Sequence, residues 1–187
     1  ITNNDWEGIY IDRVDQVSTV DILNNTITGN GQDDNYAGVY INNVYDSTVS
    51  IKENGAISNN SRQGIYLCSE GECSNSTLDI SGNTIENNSN RGIELYRINS
   101  TTLNVENNEI LSNGSSGFEL NYIGGGETTP SSLVLILNTI DENDGYGIYL
   151  GESDGVSTIT IGTADQDNTI SNNTDAGIYL NSGVTGV

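Results

Sequence analysis

Two glutamates, Glu94 and Glu119, hold the same place in successive copies of one phrase, Gly92-Ile93-Glu94-Leu95 and Gly117-Phe118-Glu119-Leu120. In an extended segment the flanking apolar residues share one face and the glutamate points the other way. Adjacent strands lie about 4.8 Å apart, which makes the two carboxylates neighbours on an outer surface. Carboxyl groups about 5 Å apart have the spacing of a retaining glycosidase pair, one charge raising the other's pKa. The same oxygens suit a shared calcium ion, or a solvated pair with no chemical task. At the equivalent place the other copies carry Tyr10, Tyr40, Tyr66, Tyr149 and Tyr179. Such a column of rings is a candidate platform for stacking sugars, although aromatic pairs across strands also stabilise a sheet without any ligand. Arg62, Arg91 and Arg97 fall near the glutamates in register, and the longest loops, 68–76 and 121–131, are expected to bracket them.

The phrase itself shows what positions these groups. An Ile is followed seven residues later by Gly-apolar-x-apolar, from Ile1 to Gly8, Ile57 to Gly64, Ile85 to Gly92, Ile110 to Gly117, Ile140 to Gly147 and Ile170 to Gly177. Only the copy from Ile27 to Gly38 is stretched. Self-similarity at a period of 25 to 30 residues means a solenoid. A second alternating piece follows the first in each copy (Thr19-Val20-Asp21-Ile22, Thr77-Leu78-Asp79-Ile80 and their equivalents), and Asn-x-Ile marks a third (Asn25-Thr26-Ile27, Asn83-Thr84-Ile85). Two-residue alternation with β-branched side chains excludes helices. Three strands per winding describe an all-β, three-sided parallel β-helix of about six to seven coils over 1–187, a single solenoid segment without obvious caps.

An Asn stands three residues after each Ile of the phrase: Asn4, Asn30, Asn60, Asn88, Asn113, Asn143 and Asn173. Asn tolerates the left-handed conformation of turns, and stacked on itself its amide both donates and accepts, so this is read as a structural ladder. Gly8, Gly38 and their equivalents are expected to make the tight corner that enters the first strand.

With these elements in place, the pattern resembles the right-handed parallel β-helix repeat family, a set that includes pectate lyases, other polysaccharide-active enzymes, phage tailspikes and adhesin-like surface proteins. The resemblance covers essentially the whole chain and implies the right-handed fold. It carries little about activity, because the repeated residues are core and turn. Lyases of that family hold calcium with Asp residues beside an Arg or Lys base. Here Asp21 and Asp79 are equivalent outward positions interrupted by Ser50, and no acidic triad of that kind appears.

Composition bounds the partners. A net charge of −21, from 26 acids against 5 bases, repels nucleic acid and anionic lipid, and no apolar run is long enough to span a bilayer by helix. Such a surface attracts divalent cations or serves solubility in high salt. Asp33-Asp34-Asn35, Asp141 and Asp144, and Asp165 and Asp167 offer clustered oxygens as candidate calcium ligands. Cys68 and Cys73 have no histidine to join them at a zinc site, so they predict a small loop-stapling disulfide and an oxidising compartment, extracellular or at the cell surface. The absence of methionine predicts a processed or excised segment. Sequons begin at Asn24, Asn59, Asn75, Asn87, Asn99, Asn113 and Asn172. Trp6 and Tyr36, equivalent in adjacent copies, are expected to stack with Arg62 as a cation–π trio.

The leading expectation is a non-enzymatic extracellular rod, structural or adhesive, associating end to end or with neighbouring domains. The alternative is a polysaccharide-active enzyme or carbohydrate-binding module that uses the Tyr/Glu face. An ice-binding face would need Thr-x-Thr, and the second strand has Thr19/Asp21, Thr77/Asp79 and Thr102/Asn104 instead.

Overall fold

The structure is a computed structural model that describes residues 1–31, 36–69, 71–125, 129–153 and 157–184. Its strands form three parallel sheets wound as a solenoid, with no helix among the described residues. The first sheet stacks Ile9–Val14, Val39–Tyr45, Ile65–Leu67, Ile93–Asn99, Phe118–Gly124, Ile148–Ser153 and Ile178–Gly183. The second runs from Thr19–Leu23 to Ser157–Ile161, and the third, of three-residue strands, from Thr26–Thr28 to Thr169–Ser171.

Like sits over like. Tyr10 pairs with Tyr40, Tyr40 with Tyr66, Tyr66 with Glu94, Glu94 with Glu119, Glu119 with Tyr149 and Tyr149 with Tyr179. Inward positions form fully buried columns such as Ile27, Ile57, Ile85, Ile110 and Ile140. Each such side chain contributes about 1.5–3 kcal/mol by leaving water. The repeated Ile, Val and Leu are therefore the force that holds the windings together.

Corners are where the structure refines the sequence reading. The ladder asparagines do bond one another: Asn30 Nδ2 donates to Asn60 Oδ1 at 2.9 Å, Asn60 to Asn88 at 2.9 Å, Asn88 to Asn113 at 3.0 Å and Asn113 to Asn143 at 3.0 Å. Asn4 and Asn173 complete the row at its two ends. They do not take the left-handed conformation. The residue before each does so, as at Asn59 (φ 54°), Asn87 (φ 54°) and Asn172 (φ 51°). The left-handed residue turns the chain, and the ladder residue then caps the corner beneath it.

Two further ladders follow the same rule. Asn25, Asn54, Asn83, Asn108, Asn138 and Asn168 join through side-chain amides at the corner before the third sheet. The Asn-x-Ile motif was their signal, hidden at Asn54 because Gly55 adds a residue before Ala56-Ile57. At the remaining corner the backbone N–H groups of Ser18, Ser47, Ser76 and Thr101 donate to the hydroxyls of Ser47, Ser76, Thr101 and Ser131 in the next winding.

The repeated glycines stand at the bend that enters the first sheet, as expected, and close approach is the reason for glycine there. Gly92 and its equivalents are not among the glycines of positive φ. A Cβ on Gly92 would lie 2.5 Å from Ile110 Cγ2 and 2.7 Å from the carbonyl oxygen of Gly117. The glycine column is the seam where the first sheet starts against the isoleucine column, and only a hydrogen fits there.

Candidate functional site

Glu94 and Glu119 come together as the register predicts, but they are not bare. Both are buried, 7% and 6% exposed. Arg91 enters from just before the glycine seam and places its Nε 2.6 Å from Glu119 Oε2, with Nη1 3.5 Å from Glu94 Oε2. Gln63, fully buried, donates its amide N–H to the same Glu94 oxygen, and Asn121 Nδ2 donates to Glu94 Oε1 at 3.4 Å. One guanidinium thus lies between two carboxylates, and two amides take further lone pairs of Glu94. Burial works to lower the Arg91 pKa, but the hydrogen bond to Glu119 and the charges of both glutamates outweigh it and raise it. Arg91 therefore stays charged.

The tyrosines flank this cluster. Tyr66 is pushed up to about 12, by burial first and then by the charge of Glu94. Tyr149 is shifted upward by burial and by Glu119. Tyr149 and Tyr179 stack with centroids 5.4 Å apart, and Tyr146 joins them at 4.9 Å from Tyr179. Tyr10 stacks on Tyr40 at 5.4 Å, and Tyr40 meets Tyr66 edge-on. Tyr146 was not among the expected residues; its place before Gly147, the same place that Arg91 holds before Gly92, was its only signal. A groove of about 330 Å³ runs beside the cluster, lined by Arg91, Ser116, Glu119, Asp144, Tyr146 and Tyr149 among others.

The other arginines do not converge on the glutamates. Arg97 lies over the ring of Tyr122 at 4.4 Å and Arg62 over that of Tyr66 at 5.3 Å. The expected trio is accordingly a pair: Trp6 stacks on Tyr36 with centroids 5.6 Å apart, and Arg62 serves Tyr66. The loop at Cys68 leans on the preceding winding, Ser69 bonding Tyr40 Oη at 2.5 Å and Asn42 Oδ1 at 3.1 Å. The loop after Asn121 continues as strand to Gly124, and residues 126–128 lie outside the described ones. The bracket around the glutamates is thus partial.

Cys68 and Cys73 form the disulfide, and both are fully buried. Cys73 takes a core place between Val44 and Ile98, so the staple closes an insertion without interrupting the column.

The proposed calcium ligands are dispersed. Asp141 accepts hydrogen bonds from Ser171 at 2.7 Å and Asn172 at 2.9 Å, Asp144 faces the groove, Asp165 sits in the turn bridged by Thr163 and Gln166, and Asp167 follows that turn. Among the described residues no three acidic, histidine or cysteine side chains gather as a metal site. Asp33, Asp34 and Asn35 lie outside the described residues. Asp79 pairs with Lys52 at 2.5 Å. Of the sequon asparagines, Asn113 is buried within the ladder, whereas Asn24, Asn59, Asn75, Asn87 and Asn172 are exposed at left-handed corners.

Comparison with known families decides the affiliation, since the description "right handed beta helix region" matches residues 7–187. The chain belongs to the right-handed β-helix family. No curated protein and no solved structure matches it. Family membership accounts for the winding and its hand in this right-handed β-helix and assigns no task to the groups on its outer face.

Proposed function

We propose that this right-handed β-helix works by presenting a surface and not by catalysis: a structural or adhesive rod of an extracellular or cell-surface protein. The observation that carries this is Arg91 held between Glu94 and Glu119. A general acid must keep a proton available, and a nucleophile needs an unobstructed lone pair. Here Arg91 occupies Glu119 Oε2 and faces Glu94 Oε2, while Gln63 and Asn121 take up further lone pairs of Glu94. The buried disulfide supports an oxidising compartment. The −21 charge supports a surface that stays apart from nucleic acid and anionic membranes.

A second reading is favoured by one observation, the three-ring cluster of Tyr146, Tyr149 and Tyr179 beside the groove. Stacked rings with polar hydroxyls suit a glycan held without being cut. One experiment serves both readings: the purified chain is incubated with a panel of neutral and acidic polysaccharides, and products and retention are measured. Expected is no product, with Glu94→Gln and Glu119→Gln indistinguishable from the parent in this respect. Retention on a glycan that is lost in Tyr149→Ala would identify the adhesive surface. Turnover that disappears in Glu94→Gln would overturn the non-catalytic assignment.

A further inference from the structure

At the opposite end of the tyrosine face lies a second cleft, of about 370 Å³, lined by Trp6, Glu7, Tyr10 and Tyr36. Its walls follow from the register. Trp6 and Tyr36 are equivalent residues in adjacent windings and stack nearly parallel, 7° between planes. Tyr10 and Tyr40, four residues further along each winding, stack in the same way with 8° between planes. Each ring is therefore braced by a partner, and Trp6, Tyr10 and Tyr36 line the cleft together with Glu7.

The charge at this cleft differs from that of the glutamate cluster. Glu7 is partly buried and makes no ion pair among the described residues, whereas Glu94 and Glu119 share Arg91. Ring faces carry the negative end of a quadrupole and attract cations, and a carboxylate beside them adds to the same sign. The −21 net charge concentrates cations near the whole surface. A compact ammonium such as that of lysine keeps its water strongly, so a methylated ammonium, with little hydration to lose and an apolar skin, matches rings plus one carboxylate better.

We propose that the cleft of Trp6, Glu7, Tyr10 and Tyr36 binds a quaternary ammonium group. The chemical class is a trimethylammonium head carried on a small solute or a larger molecule. Its positive centre lies against the rings, and Glu7 supplies the counter-charge.

Trp6 is the only tryptophan in the chain, so its emission reports on this cleft alone. The test titrates the intact chain with choline at constant ionic strength and follows Trp6 fluorescence. The uncharged isostere 3,3-dimethylbutan-1-ol, methyl glucoside and sodium chloride are run as parallel titrants. Expected is a saturable change with choline, weaker by about tenfold with the isostere, and absent with sodium chloride. Glu7→Gln should weaken choline binding by roughly threefold to tenfold while leaving the melting temperature unchanged, and Tyr10→Ala should weaken it further. Equal binding of choline and its uncharged isostere would overturn the proposal in favour of a merely apolar cleft. A saturable response to methyl glucoside alone would overturn it in favour of a sugar site. No response to choline up to high millimolar concentration would overturn it outright.

Discussion

Arg91 decides what the outward acids can do. Removing it leaves two carboxylates, each less than one-tenth exposed, without their counter-ion. Breaking a buried pair by deleting one partner costs about 3–5 kcal/mol, whereas replacing the whole cluster by neutral groups of similar size is close to neutral. Arg91→Met should therefore lower the unfolding free energy measured by urea denaturation by an amount in that range, seen as a lower midpoint. The triple variant Arg91→Met, Glu94→Gln, Glu119→Gln should recover most of the loss. An Arg91→Met midpoint equal to that of the parent would mean that the glutamates manage their charge without it, and the non-catalytic assignment would lose its main support. The residue column also shows where sequence reading reached its end. That Glu94 and Glu119 meet was legible from the Gly-x-Glu-x spacing, because register alone sets it. That Arg91 and not Arg97 bridges them was not, because the difference lies in which side of the glycine seam each arginine leaves from.

At the level of the winding, the three strands were legible because inward positions alternate with a period of two and bury completely. The corners were only half legible. Most are a pair, a left-handed residue followed by a ladder residue, and sequence reading merged the two roles into the asparagine alone. Serine and threonine at the third corner escaped notice because a hydroxyl ladder tolerates either residue and leaves no single-letter column. The glycine corner was legible but its reason was not: glycine serves close approach as readily as left-handed turns, and spacing does not separate the two uses. The insertion after Leu67 was legible from its cysteines. Its staple closes a short loop, for which the chain-entropy estimate is about 2 kcal/mol. Cys68→Ala with Cys73→Ala should lower stability by roughly that amount, plus a cost for the lost core volume at Cys73. A thermal melt unchanged by the double substitution would show that the neighbouring ladders hold this winding without help.

Over the whole molecule, one arrangement underlies every functional statement: windings stacked in register along three corner ladders. It sets Glu94 over Glu119, Tyr149 over Tyr179 and Trp6 over Tyr36, and it leaves the acids on the outside where a net charge of −21 has to be solvated. The outer face is then a strip with an aromatic cleft at one end, an acid cluster bridged by Arg91 in the middle and a three-ring groove at the other. Family membership accounts for the winding and assigns no task to the strip. The most direct test of this stacking is exchange at the ladder side chains themselves, read by nuclear magnetic resonance of the Nδ2 amides in deuterated water. The amides of Asn60, Asn88 and Asn113, and of Asn83, Asn108 and Asn138, each donate to the next winding and are buried. They should resist exchange as strongly as the backbone amides of the strands beside them, while exposed Asn59 and Asn87 exchange at once. Ladder amides that exchange as fast as those of Asn59 and Asn87 would contradict the in-register stack.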